Sequence, residues 1–167
     1  ITLRVVRDDY TQVVKRILDI IGSITAMILF APLMLTVAIV IRCSSPGPVI
    51  FSQKRFGHNK RTFQMYKFRT MSQNAEQMQN KLEHRNEMSG PVFKIRNDPR
   101  ITPLGRILRR TSLDELPQLW NVLLGSMSLV GPRPLPARDV SRFSEAWLMR
   151  RFSVKPGLTC LWQISGR

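Results

Sequence analysis

Two carboxylates stand side by side at Asp114 and Glu115, within TSLDELPQLWNV (residues 111–122) and directly after the arginine-rich RILRR (residues 106–110). Adjacent side chains on a helix point roughly 100° apart, so such a pair suits two separate tasks better than one shared proton. One could be a nucleophile and the other a metal ligand. An aspartate can attack phosphorus and form an acyl-phosphate. Arg109 and Arg110 offer charge-assisted hydrogen bonds to an anion, and a helix start attracts phosphate. Carboxylate, hard cation, arginines and helix dipole together describe a site for attack on phosphorus. The plainer account of the same residues is a capping box, with Ser112 accepting from a backbone N–H and Glu115 reaching back to the Ser112 N–H. On that account the helix begins near Asp114, tolerates Pro117 in its first turn, and buries Leu116, Leu119, Trp120 and Leu123. The cap explains everything local; the arginines favour chemistry.

Other basic residues could join the pair. Arg133 in GPRPLP (residues 131–136) is held between two prolines, so its direction is largely preset, either as an anion clamp or as part of a plain turn. Lys67 and Arg69 lie in a segment rich in aromatic and β-branched residues. The chain carries 26 Lys and Arg against 11 Asp and Glu, a net charge of +15, which suits a polyanionic partner: nucleic acid, anionic lipid or a phosphorylated substrate. Its 43% hydrophobic content excludes general disorder. Cys43 and Cys160 are far apart, and the only histidines are His58 and His84, so a disulfide framework or zinc site is not expected and a metal would be a hard ion on oxygen ligands. P-loop and dinucleotide glycine patterns are absent.

These residues need elements to position them. VIFSQKRF and RTFQMYKFRTM flank Gly57-His58-Asn59 and predict a β-hairpin. Thr102 predicts the cap of a short helix with Pro103 at its first position, an apolar stripe of Leu104, Ile107 and Leu108, and a shared face of Arg106, Arg109 and Arg110. Such a basic amphipathic helix commonly lies on a membrane surface. Residues 74–88 (NAEQMQNKLEHRNEM) read as a surface helix or mobile insert without chemistry.

Residues 20–41 (IIGSITAMILFAPLMLTVAIVI) hold no charged residue, and about 20 such residues suffice to cross a bilayer. Lys15 and Arg16 precede the run and Arg42 follows it, so the positive-inside rule draws both ends to the cytoplasmic side. Pro32 removes one helical N–H and clashes with the turn before it. The expectation is a re-entrant helix that bends at Pro32, with Ser23 and Thr25 available to the freed carbonyls; a kinked full span is the alternative. Starting at Ile1 and stopping on SGR, the chain reads as the core of a longer polypeptide.

The stretches KRILDIIGS, SPGPVIFSQKRFG, YKFRTM, RITPLGRILRRTSLDELPQLWNVLLG, SLVGPRP and KPGLTCLWQISGR, in that order, resemble the bacterial sugar transferase family, the monotopic phosphoglycosyl transferases that act on polyprenyl phosphate. The resemblance runs from Lys15 to Arg167 and looks closest to the longer members, which initiate capsule or exopolysaccharide synthesis. It implies transfer of a sugar-1-phosphate from a UDP-sugar to polyprenyl (undecaprenyl) phosphate with release of UMP, through an aspartyl-phosphosugar intermediate. Asp114 matches the nucleophile, Glu115 the acid that holds Mg²⁺, and Lys67, Arg109 and Arg133 the basic residues at the phosphate site; Arg69 is placed with them. Where the family bends its membrane helix at a Ser-Pro pair, this chain has Ala31-Pro32.

The expected architecture is α+β, mainly α. Residues 1–14 form a linker, residues 15–43 a re-entrant membrane helix, and residues 44–167 a C-terminally incomplete catalytic domain. That domain combines a small β-hairpin with amphipathic interfacial helices around an active site on the cytoplasmic face of the bacterial inner membrane. The expected partners are a UDP-sugar, polyprenyl phosphate and membrane lipid, with a homo-oligomer left open and nucleic acid excluded. A basic nucleic-acid-binding module would explain the charge but not the apolar run or the acids beside the arginines; a non-catalytic membrane anchor is the third alternative.

Overall fold

The computed structural model describes residues 9–75, 77–78, 82, 95, 97–136, 140 and 146–160. Most of residues 74–88 and all of residues 161–167, with the end of the KPGLTCLWQISGR stretch, lie outside them. The hairpin forms where expected. Strand β1 (Ile50–Phe56) pairs antiparallel with β2 (Thr62–Phe68), from Ile50 opposite Phe68 to Phe56 opposite Thr62. The turn between them places Asn59 and Lys60 at positive φ.

The chain then forms α2 (Pro103–Arg110), a 3-10 turn (Leu113–Glu115), and α3 (Gln118–Leu123). Strand β3 (Ser128–Val130) runs parallel to β5 (Gly157–Thr159), and β4 (Leu135–Pro136) adds to the free edge of β1. A 3-10 segment (Ala146–Ser153) precedes β5. Over the described residues the fold is therefore mixed α/β: one long helix, short helices and two small sheets.

Helix α1 (Asp9–Ser44) has 36 residues, about 54 Å at 1.5 Å per residue, and is long and apolar enough to cross a membrane. It begins inside the stretch expected to be linker, and it stays helical on both sides of Pro32. Ser23 is not a partner for the proline turn: its hydroxyl donates to Ile20 O at 3.0 Å. One turn after the proline, Thr36 donates to Pro32 O at 2.9 Å.

Both ends of α1 are held by the rest of the fold. Near the start, buried Asp19 accepts from Ser128 Oγ (3.0 Å) and Leu129 N (2.9 Å), and Lys15 donates to Ser128 Oγ and Val130 O. Arg16 donates to Val122 O and Leu123 O, both at 2.7 Å, at the C-terminus of α3, where Val122 O also accepts from Gly125 N at 3.0 Å. Near the other end, Val37 and Ile41 are buried with Phe68 and Leu108, and Leu104, Leu113 and Leu116 pack on that cluster. Between the two ends, Ile24, Ile28, Leu29 and Leu35 are exposed.

Candidate active site

Lys67 approaches the acidic pair from β2. Alternation along the hairpin puts Met65 and Lys67 on one face with Arg55 of β1, whose partner across the ladder is Phe63. The open edge of β2 is closed by one side chain. Asn121 accepts from Tyr66 N (3.0 Å) and donates to Gln64 O (2.7 Å), so a buried amide completes the ladder as a strand would. That bond pair sets α3 against β2 and brings the carboxylates to the lysine.

Helix α2 is placed as closely. Thr102 caps it as expected, accepting from Gly105 N at 3.0 Å, with Pro103 at the first position. A Cβ at Gly105 would lie 2.0 Å from Thr70 O, so only glycine lets α2 sit this near the segment leaving β2. Arg109 Nε then donates to Thr70 Oγ1 at 3.0 Å. The three arginines of this helix do not share a role: Arg109 turns inward while Arg106 and Arg110 are exposed, and Ile107 of the expected apolar stripe is exposed too. Eight residues make barely two turns, and the short Gly105 contact fixes which side faces in.

The capping box does not form. Ser112 adopts the left-handed conformation (φ 59°, ψ 14°) and its side chain makes no cap hydrogen bond. It closes α2 and reverses the chain into the 3-10 turn, while Glu115 is drawn to Lys67 rather than back to the Ser112 N–H. Helix α3 starts only at Gln118, after Pro117. This later start rotates the buried face: Leu119 is inside as expected, but Gln118, Asn121 and Val122 join it and Trp120 is 47% exposed.

The result is a bracket of charges. Lys67 Nζ lies 2.7 Å from Glu115 Oε1 and 4.0 Å from Asp114 Oδ2, and Arg133 Nη2 lies 3.5 Å from Glu115 Oε1. Asp114 is 6% exposed. Burial raises its pKa above the ordinary carboxylate value, and Glu115 adds to this, while Lys67 and Arg109 oppose it. Burial lowers Lys67 from its ordinary value, with Glu115 and Asp114 opposing and Arg133 assisting. Burial lowers Arg109 as well, with Asp114 acting against it. A depression beside the pair is lined by Arg55, Lys67, Glu115, Gln118, Arg133 and Leu158, among others.

The structure thus brings together Asp114, Glu115, Lys67 and Arg133, with Arg109 close enough to act on Asp114. It does not bring Arg69. That guanidinium is buried and donates to Pro46 O, Ser45 O and Ser45 Oγ, each at 2.8 Å, where it ties down the turn after α1. Among the described residues no group of three or more His, Cys, Asp or Glu gathers to hold a metal. Asn121, Gln118 and Thr70 were not anticipated. Their signal is faint: Gln118 and Asn121 are polar residues off the apolar stripe of a helix, and Thr70 is a small polar residue at the end of a strand segment.

Residues 10–167 match a family described as bacterial sugar transferase. The chain is 47% identical over 155 residues to the galactosyl transferase CpsE of Streptococcus agalactiae serotype III, covering 93% of this chain and 34% of that protein. It is 42% identical over 164 residues to the undecaprenyl-phosphate galactose phosphotransferase of Salmonella typhimurium, covering 94% and 33%. Against the exopolysaccharide production protein ExoY of Rhizobium meliloti it is 40% identical over 157 residues, covering 92% and 69%. It spans about a third of the length of the first two relatives. A match that runs almost from end to end, at these identities, places the chain in the bacterial sugar transferase family.

Proposed function

We propose that this chain is the catalytic core of a membrane enzyme that transfers a sugar-1-phosphate from a UDP-sugar to polyprenyl phosphate, the first membrane step of exopolysaccharide, capsule or O-antigen synthesis. The observation that carries the reading is the buried Asp114 beside Glu115, bracketed by Lys67, Arg109 and Arg133. The family and the relatives named for undecaprenyl-phosphate phosphotransfer supply the substrate class.

Lys67, Arg109 and Arg133 hold the diphosphate and offset its charge. An Asp114 carboxylate oxygen attacks the sugar-bearing phosphorus. The bond from that phosphorus to the bridging oxygen breaks, UMP leaves, and an acyl-phosphate carrying the sugar remains on Asp114. A phosphate oxygen of polyprenyl phosphate then attacks the same phosphorus. The Asp114–phosphorus bond breaks and the polyprenyl-diphosphate sugar departs. Burial serves both steps, because a poorly solvated carboxylate is a better nucleophile and its acyl-phosphate is shielded from water.

Mg²⁺ is commonly bound through one or two carboxylates together with substrate phosphates. Two adjacent acids among cations fit that mode, in which Glu115 would hold an ion arriving with the diphosphate. When bound, Mg²⁺ neutralises phosphate charge. The donor set does not fit a self-contained metal cage.

The membrane arrangement follows the same reading. Both ends of α1 pack on one body and both carry basic residues, Lys15 and Arg16 before the apolar run and Arg42 after it. This supports a re-entrant helix, with the site at the cytoplasmic face of the inner membrane. Labelling of cysteines placed near residues 16 and 42 tests it, and exposure on opposite sides would overturn it.

For the reaction, the complete protein is incubated with Mg²⁺, polyprenyl phosphate and a panel of UDP-sugars led by UDP-galactose and UDP-glucose, and UMP is assayed. Omitting polyprenyl phosphate should leave a phosphosugar on the protein, visible as a mass increase. Asp114→Asn should abolish both signals, and full turnover by that variant would refute the nucleophile.

A further inference from the structure

Gln118 is a polar residue of the depression that the reaction above leaves idle. It opens α3, is 2% exposed, and its Nε2 has no hydrogen-bond partner among the described residues. Buried polar groups are nearly always paired, and leaving one unpaired costs stability that an apolar side chain of the same shape would not cost. Packing therefore gives no reason for an amide here. The side chain lines the depression together with Lys67, Glu115 and Arg133.

Its place in the chain says what the amide can meet. Leu116 (φ −53°, ψ −38°) and Pro117 (φ −60°, ψ −16°) are both helical, so Asp114 and Glu115 lie four and three residues back along a continuous helical path. Side chains at these spacings are neighbours, with Cβ atoms about 5–6 Å apart. That spacing lets a phosphate attacked by Asp114 present an oxygen to the Gln118 amide. Positive charge is already supplied by Lys67, Arg109 and Arg133. A neutral N–H adds direction without pairing to the carboxylates, as a fourth cation would.

We infer that Gln118 is a substrate-binding residue whose Nε2 donates a hydrogen bond to a non-bridging oxygen of the sugar-bearing phosphate, a bond that strengthens as charge builds on that oxygen during attack. This rests on the phosphosugar transfer proposed above. Its test uses the complete protein and two variants, Gln118→Met and Gln118→Glu. Gln118→Met should lower the kcat of UMP release about 100-fold, as loss of one preorganised donor does. KM should rise by less than kcat falls, because the bond is weaker before attack, and thermal unfolding without substrate should be unchanged or shifted upward, because an unpaired buried donor has gone. UDP should raise the unfolding temperature of the wild type more than that of the variant.

Wild-type kcat in Gln118→Met would overturn the inference. So would a loss confined to KM, which points to the base or ribose, or a fall in the substrate-free unfolding temperature, which points to a structural role. If Gln118→Met fails to fold, Gln118→Glu carries the kinetic test at the same shape. If the wild-type protein releases no UMP from any UDP-sugar, the transfer reading fails. The inference is then judged on UDP binding alone, and equal stabilisation of wild type and variant sinks it.

Discussion

Replacing Lys67 with methionine keeps most of the side chain's volume and removes one charge. In the wild type, Nζ lies 2.7 Å from Glu115 Oε1 and 4.0 Å from Asp114 Oδ2. At an effective dielectric of about 20, each attraction is on the order of 4–6 kcal/mol at such distances. Desolvation of the ammonium, which dominates the lowered pKa of Lys67, cancels part of this. Removing one partner of a buried pair typically costs about 3–5 kcal/mol, because the remaining charge is left uncompensated. Lys67→Met should therefore lose about 3 kcal/mol near neutral pH, or on the order of 10 °C in unfolding temperature for a chain of this size. The loss must depend on pH. Burial already holds Asp114 above the ordinary carboxylate value, and the variant lacks the cation that opposes this. Between the unfolded and the raised folded pKa the folded state binds more protons, so the variant's stability falls as pH rises through that window and returns below it. The deficit against wild type should shrink on acidification, and adding Glu115→Gln should restore much of it at neutral pH. Thermal unfolding in detergent across a pH series measures all three proteins. A deficit independent of pH, or no rescue by Glu115→Gln, would refute the electrostatic argument.

Turnover should fail on the acid side at a pH above the ordinary carboxylate value, because the proposed nucleophile, Asp114, must be ionised and burial raises its pKa; Arg109→Leu should move that limb to higher pH in a kcat/KM profile. Gly105→Ala should cost about 2–3 kcal/mol, since its Cβ would meet Thr70 O at 2.0 Å, and turnover should drop further as Arg109 leaves Thr70; unfolding and UMP assays report the two losses. Asn121→Leu strands Gln64 O and Tyr66 N and should destabilise by about 2–4 kcal/mol, read by thermal unfolding. Arg69→Met should lower the unfolding temperature and leave KM for the UDP-sugar unchanged, because its donors are committed to Ser45 and Pro46.

The parts legible in the sequence were those that depend on neighbours along the chain. The hairpin follows from aromatic and β-branched residues around Gly57, and the Thr102 cap from Pro103 and the next turn. The apolar length of α1 is a count. What the sequence hid depends on contacts between distant segments. Glu115 chose Lys67, on β2, over the backbone N–H of Ser112, and a capping rule contains no term for that. Arg69 and Lys67 are two residues apart on β2 and its extension, yet one is held at the turn after α1 and the other joins the carboxylates. Asp19, just before the apolar run, carries no signal of its own in the sequence, because its partners are on β3. Gln118 and Asn121 both read as solvated helix positions; the late start of α3 turned them inward.

The two attachments of α1 bear on how this protein can be handled. A membrane helix that only anchors can be trimmed to yield a soluble enzyme. Here, trimming at residue 45 would uncover Phe68 and Leu108, deprive Ser128 and Leu129 N of Asp19, and open the end of α3 that Arg16 closes. The Asn121 lock and the Lys67 bracket stand on those same elements. On the membrane arrangement proposed above, detergent by contrast has to replace lipid only along the exposed middle of the helix. Extraction should preserve the site that truncation would destroy, so the helix counts as part of the enzyme's interior as much as its tether.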